Sequence, residues 1–286
     1  MLPRLVAVDM DGTFLDSEGK IPPGFAQTYA RLKEAGIHFT PASGRQLATL
    51  QDMFGHLGEE LSFIAENGAV VAHQGQVTST TTLGSEIPQA VVKAVAEFNA
   101  TTARTRSAEG GRRAEKIWLI VCEANVGFLD DRHAAADPEV QKYYHSVEVV
   151  EDLAAVAAAG RVVKLAVFYP GDAEAVAAPL IARAAPHASV VVSGAHWVDV
   201  MNPEANKGRA LAELAGYLDI PLADTVAFGD YLNDVELLRS AGTSYAMANA
   251  HPQLKEVATQ IAPANSEYGV VKVLDQILAS APGTAS

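Results

Sequence analysis

A disulfide framework is excluded at the outset, because the 286-residue chain holds a single cysteine, Cys122. It sits in the apolar run IWLIVCEA, where a small buried residue is the expected reading and a reactive thiol the lesser alternative. Basic residues are scarce as well: 21 Lys and Arg face 34 Asp and Glu, for a formal net charge of -13. Nucleic acid is therefore not an expected partner, since such binding leans on a basic surface. No apolar run approaches the ~20 residues of a membrane span. The first strand-like run follows Met1 too closely for a signal peptide, so a cytoplasmic location is expected. His133 and His145 lack zinc-ligand spacing, and Trp118 and Trp197 read as packing residues.

What is present is ordinary for a globular enzyme: 49% hydrophobic and 19% charged residues, at a length that fits one large domain or two smaller ones. The most informative stretch is VAVDMDGTFLD, answered far downstream by VAFGDYLND. Leu5 to Val8 run straight into Asp9, as a buried parallel strand does before delivering its last residues to the carboxyl edge of a sheet. Asp9 and Asp11 then lie on the same side of that strand end. Two carboxylates so placed repel each other unless a cation joins them, and a hard divalent ion such as magnesium suits oxygen ligands and phosphate.

Strand and helix patterns alternate at both ends of the chain. FAQTYARLKEAG places Phe25, Tyr29 and Leu32 on one helical face; IHFTPASGR reads as a strand, RQLATLQDMFGHLG as a helix, and SFIAENGAVV as a return to strand. The tail resumes with a helix from Gly208 to about Tyr217, the strand TVAF, a helix through VELLRSA, the strand SYAM and a last helix carrying Val270, Leu274 and Ile277. Such alternation implies a parallel sheet with helices on both faces. Between the two ends the texture changes, with the polar RTRSAEGGRRAEK, the alanine-rich DLAAVAAAG and two strand-like runs, KIWLIVCEA and RVVKLAVFY. The expected organisation is a discontinuous core, residues 1–83 and 193–286, around an α+β insertion over 84–192.

Asp9, Asp11, Gly12 and Thr13, joined by Ser43, Lys207 and GDYLND, resemble the haloacid dehalogenase superfamily, and within it the Cof-type bacterial sugar-phosphate phosphatases. DMDGTFL, ASGRQ, SFIAENGA and YAMANA carry the same likeness; in the insertion it is mainly one of size and position. The resemblance implies an α/β fold, a Rossmann-like doubly wound parallel sheet with an inserted α+β cap of the C2 type. It implies a magnesium-dependent phosphatase for small phosphomonoesters, sugar phosphates first, working through an aspartyl phosphate. Asp9 would be the nucleophile and Asp11 the general acid and base, with Ser43 and Lys207 completing the catalytic set. Asp9, Asp11, Asp230 and Asp234 are the implied metal ligands, Asp11 through its carbonyl and Asp234 through water or a second shell.

Met10, Gly12, Thr13, Gly44, Arg45, Asn206 and Asn233 are the implied phosphate contacts, with Ser43 donating from both hydroxyl and amide. Three of the implied residues have plainer readings: Ser43 as a helix cap, Arg45 in a surface ion pair and Lys207 as an exposed lysine. A lysine opening a helix is unfavourable unless an anion is present, which favours a phosphate role for Lys207. In the insertion, Lys164 is the expected substrate contact, weighed evenly against a lysine on the exposed face of a half-buried strand. Arg112 and Arg113 are weaker alternatives there, as is His196 in the returning strand near the hinge of the insertion. The implied partner is a small phosphorylated metabolite, and the chain a monomer or small homo-oligomer. A phosphotransferase or mutase using the same intermediate remains open, as does a non-catalytic phospho-aspartate switch.

Overall fold

The computed structural model of the chain describes residues 2–58, 60–109 and 116–280, with backbone alone for 105–109. The residues gather into two compact units, one reaching to Ser79 and resuming at Ala205, the other spanning Thr80–Glu204.

In the first unit β1 (Leu5–Asp9), α1 (Phe25–Glu34), β2 (His38–Ala42), α2 (Leu47–Phe54) and β3 (Ser62–Ala65) follow the alternation legible in the sequence. SFIAENGAVV does not run on as one strand. Glu66, Asn67 and Gly68 all adopt positive φ (50°, 52° and 95°), and the chain reverses into β4 (Val70–His73), antiparallel to β3, before β5 (Gln76–Thr80). An Asn-Gly pair tolerates that left-handed backbone, which is why the apolar run breaks there.

The second unit opens with α3 (Glu86–Glu109) and β6 (Trp118–Cys122), then β7 (Gly127–Leu129), α4 (Arg132–Ala135), α5 (Pro138–Tyr143) and β8 (Val147–Val149). It continues through α6 (Leu153–Ala158), β9 (Lys164–Phe168), α7 (Ala177–Ala184), β10 (Ser189–Gly194) and β11 (Trp197–Met201). The six strands lie in the order β10-β11-β9-β6-β7-β8, antiparallel except for β7 with β8. Leu119, Val121, Leu165, Val167, Val198 and Val200 point from one sheet face into a core shared with Val91, Leu153 and Ile181 of α3, α6 and α7. This is the α+β insertion, but it runs to Glu204 rather than to residue 192. Strand β11 pairs with β9 in the interior of the second sheet, so it cannot belong to the first. Arg112 and Arg113 lie outside the described residues.

The first unit then resumes with α8 (Lys207–Tyr217), β12 (Thr225–Gly229), α9 (Val235–Ser240), β13 (Thr243–Met247), α10 (Pro252–Val257), β14 (Gln260–Ala262) and α11 (Gly269–Ala279). Its eight strands are ordered β14-β13-β12-β1-β2-β3-β4-β5, parallel from β14 to β3. This is the doubly wound parallel core expected from the sequence. Every residue of β1 is buried, because both faces of the central strand are covered. Phe14, Phe25, Phe39 and Phe54 form an aromatic cluster beside it, with ring centroids 4.7 to 6.2 Å apart in contacting pairs. Among the described residues no helix is long and apolar enough to cross a membrane.

At the amino ends of β2 and β3, away from Asp9, two histidines meet. The His38 and His73 rings are 6.0 Å apart, and His73 Nδ1 lies 2.8 Å from the Ser62 hydroxyl. Burial lowers both imidazole pKa values, helped by Arg4 at His38 and by His38 at His73. A base whose pKa falls on folding contributes stability that is complete above its unfolded value, near 6.5, and is lost as pH drops. His73→Gln is therefore expected to flatten the fall in urea midpoint between about pH 7.5 and pH 5.5 relative to the wild type. An unchanged difference between the two pH values would count against the pair.

Candidate active site

The carboxyl edge of the first unit's sheet gathers the ends of β1, β2 and β12, the β3–β4 turn and the amino end of α8. Asp9 is the last residue of β1 and is 6% exposed. The Lys207 ammonium, fully buried at the first turn of α8, donates to Asp9 Oδ1 at 2.5 Å and to Asp234 Oδ1 at 2.7 Å. Asp234 Oδ2 in turn accepts the backbone N–H groups of Asp230 (3.1 Å) and Tyr231 (3.3 Å), so one buried carboxylate shapes its own loop and orients the lysine. Asp230 Oδ1 accepts the Thr13 hydroxyl at 3.3 Å.

Close backbone approaches permit this gathering. Gly12 has φ +80°, and a Cβ there would fall 2.2 Å from the Asp230 carboxylate. A Cβ on Gly68 would lie 2.3 Å from the Asn206 carbonyl oxygen, so the β3–β4 turn and the start of α8 can touch only through glycine.

The electrostatics follow from burial and crowding. Asp9 is pushed well above the usual carboxylate range, first by burial and then by the Asp234 charge, against the pull of Lys207. Asp230 rises to about 6, again chiefly by burial with Asp234 adding to it. Burial acts to lower the Lys207 pKa, but the Asp234 and Asp9 carboxylates outweigh it and hold the ammonium above its ordinary range.

Carboxylate oxygens of Asp9, Asp230 and Asp234 lie within 4.8 Å of one another. With all three carboxylates ionised, one ammonium leaves two negative charges uncompensated. An all-oxygen donor set with that deficit fits a hard divalent cation.

The structure brings together Asp9, Thr13, Lys207, Asp230 and Asp234, and sets other expected residues in different relations. The Asp11 carboxylate stands outside the acidic cluster and is bound by Arg45 instead. Met10 is fully buried, so its side chain belongs to the core. Ser43 is buried, but its amide donates to the Ile64 carbonyl at 2.8 Å, which corrects the expectation that this N–H is available to a phosphate. Gly44 admits the side chain of Asn67, which a Cβ at Gly44 would meet at 2.9 Å. Asn206 is the cap of α8, its Oδ1 accepting the Arg209 amide at 2.8 Å. Asn233 donates to Asn67 Oδ1 at 3.3 Å.

Asn67 and Asn249 had no role assigned from the sequence. Asn67 bridges the β2 and β12 loops, its own N–H donating to the Ser43 carbonyl at 2.9 Å; Asn249 donates to the Gly12 carbonyl at 2.7 Å. The available signals were an Asn-Gly pair and the run YAMANA, each directly after an apolar strand.

Lys164 belongs to the second unit and is 2% exposed, beneath the Tyr144 ring with Nζ 5.1 Å from its centroid. The alternative of a lysine on an exposed strand face is thereby set aside. Trp118 stacks on Phe168 and Trp197 packs edge-on against Tyr143, as expected of packing residues. His196 Nδ1 lies 2.9 Å from the Gly171 carbonyl oxygen.

A protein-family profile described as haloacid dehalogenase-like hydrolase matches residues 6–274. The chain belongs to that family. Among relatives of this hydrolase is the Escherichia coli 5-amino-6-(5-phospho-D-ribitylamino)uracil phosphatase YbjI, 29% identical over 96% of each chain. The HMP-PP phosphatase of Yersinia pseudotuberculosis is 27% identical over 90% of this chain and 88% of its own. A solved Eubacterium rectale structure superposes with TM-score 0.79 at 25% identity, covering 96% of this chain and 98% of that one. One from Thermotoga maritima reaches 0.78 at 20%, covering 96% and 97%, and shows the shared fold. The expectation of a phosphatase of this superfamily holds at that level: the chain is a hydrolase of the phosphoric monoester type.

Carboxylates whose pKa rises on folding contribute stability that is complete below their unfolded value, 3.8, and is lost as pH climbs through the folded one. The metal-free hydrolase should thus lose melting temperature through this cluster between about pH 5 and pH 8. Millimolar magnesium should restore more at the higher pH, and Asp230→Asn should shrink both effects. Equal magnesium shifts at both pH values, read by thermal melting, would contradict the cluster's role.

Proposed function

We propose that the protein is a magnesium-dependent phosphatase of small phosphomonoesters, sugar phosphates first, that works through a phosphoaspartyl intermediate on Asp9. The observation that carries this reading is the buried Lys207 ammonium clamped between Asp9 and Asp234 at the end of the central strand. A carboxylate held there by a cation is aimed along a fixed direction, and phosphoryl transfer rewards positioning and charge neutralisation above all.

In the first step an Asp9 oxygen attacks phosphorus while the bond to the leaving oxygen breaks, and Asp11 supplies that oxygen with a proton. In the second, water attacks the acyl phosphate, Asp11 takes the water's proton, and inorganic phosphate leaves with Asp9 regenerated. Lys207 stays charged throughout and faces the added negative charge of the phosphoryl group. Asp9 and Asp230 would hold the cation, with the Asp11 carbonyl as a further ligand and Asp234 supporting it through water or a second shell. A divalent ion there supplies positive charge against the carboxylates and the phosphoryl oxygens. The Ser43 and Thr13 hydroxyls, the Asn233 amide and the backbone at Met10, Gly12 and Gly44 are the proposed phosphate contacts.

Choice of substrate is assigned to the unit spanning Thr80–Glu204, with the buried cation of Lys164 its leading specificity residue. The net charge of -13 supports a small anionic metabolite met by local cations, and argues against nucleic acid. The names of the relatives support small phosphorylated substrates of this kind.

Phosphate release from a panel of phosphomonoesters with magnesium tests the reading. Asp9→Asn should lower turnover at least about a thousandfold while retaining a cooperative melt, since Lys207 keeps Asp234 as a partner. A chelator should abolish turnover by the wild type. Undiminished turnover by Asp9→Asn, or indifference to the chelator, would sink the proposal.

A further inference from the structure

Arg45 leaves the turn after β2 and reaches the exposed carboxylate of Asp11. Its Nε donates to Oδ2 at 3.0 Å and its Nη2 to Oδ1 at 2.6 Å, the two-pronged fork of a guanidinium on a carboxylate. The guanidinium end is held as well: Nη1 lies 3.6 Å from the Met53 sulfur of α2. The Arg45 carbonyl also accepts the Glu66 amide at 3.0 Å, which pins this backbone to the β3–β4 turn. Asp11 has no comparable anchor. Its backbone is extended (φ -78°, ψ 121°) beside the left-handed Gly12, its side chain is 62% exposed, and among the described residues only Arg45 bonds its carboxylate.

An ion pair this exposed contributes little to folding, and a lone surface carboxylate on such a backbone would sample several rotamers. The fork removes that freedom. We infer that Arg45 is a positioning residue for Asp11, fixing the direction from which the carboxyl group meets the leaving oxygen, and that this is its main task rather than holding the phosphate. The inference rests on the phosphatase reading above, and on Asp11 as its proton donor.

The two tasks have different chemical signatures. Every phosphomonoester presents the same phosphoryl group, so a phosphate contact acts on all of them alike. A residue acting through the acid matters most where the leaving oxygen must be protonated as its bond to phosphorus breaks. An alkoxide leaving from a sugar phosphate needs that proton, and a p-nitrophenolate leaves without it. Hydrolysis of the acyl phosphate is common to both substrates, so the informative quantity is leaving-group release in the first turnover.

The test uses the full chain with magnesium and enzyme in excess, and compares p-nitrophenyl phosphate with the sugar phosphate that the wild type handles fastest. Arg45→Met should slow both, but the sugar phosphate more, widening the ratio of the two rates at least about tenfold. Arg45→Lys should fall between, because an ammonium keeps the charge and loses the fork. On the sugar phosphate, adding Arg45→Met to Asp11→Asn should cost less than about twofold further, as expected when one residue acts through the other. An unchanged ratio, or losses that multiply in the double variant, would overturn the inference and leave Arg45 as a phosphate contact or a surface pair. A wild type that releases neither leaving group would overturn the phosphatase reading instead, and this inference with it.

Discussion

The fully buried ammonium of Lys207 is the interaction on which the site depends. A charged lysine at the first turn of a helix is unfavourable twice over, through desolvation and through the helix dipole. It is stable here because Asp9 and Asp234 each accept one of its hydrogen bonds. The dependence runs in both directions. Removing the ammonium would leave two buried carboxylates facing each other, and removing either carboxylate would leave the ammonium half-compensated. Asp234 extends the arrangement by accepting the Asp230 and Tyr231 amides with its second oxygen, so the loop after β12 is folded around the same charge.

This network explains why the parallel sheet matters to chemistry. β1 and β12 are neighbours with Val8 opposite Phe228, so the residues just past their carboxyl ends emerge side by side. Asp9 and Asp230 are therefore neighbours by topology, although more than two hundred positions separate them along the chain. The helix carrying Lys207 is brought in by close backbone contacts at Gly68 and at Gly208, where a Cβ would fall 2.2 Å from the Glu236 carbonyl oxygen. Counted as ionised, the three carboxylates outnumber the one ammonium, and an all-oxygen cluster with that imbalance fits a hard cation on a protein of strongly acidic composition.

Much of the core was legible because its signals are local. Leu5 to Val8 ending in Asp9, and Thr225 to Gly229 ending in Asp230, are buried strands with carboxylates at their tips, and both are found as such. The break in SFIAENGAVV was less legible, since an apolar run looks the same as one strand or two, and positive φ at Glu66 is not predictable from a glutamate. The boundary near Glu204 was misjudged because β10 and β11 resemble any returning strand; membership of a sheet is settled by long-range pairing. Lys164 likewise could not be assigned to a buried face from its own strand, because the aromatic ring covering it comes from Tyr144, twenty positions earlier.

The sequence by itself determined the fold class, the order of the motifs and the chemical type of the groups at the strand ends, because alternating hydrophobicity and strand-end carboxylates are properties of short segments. Only the tertiary structure decided which partner each polar group takes. The Ser43 amide is committed to the Ile64 carbonyl, Asn206 to capping α8, and the Arg45 fork to Asp11. Hydrogen bonds at a sheet edge are shared among loops that meet only once the sheet has formed, so no spacing along the chain could have apportioned them.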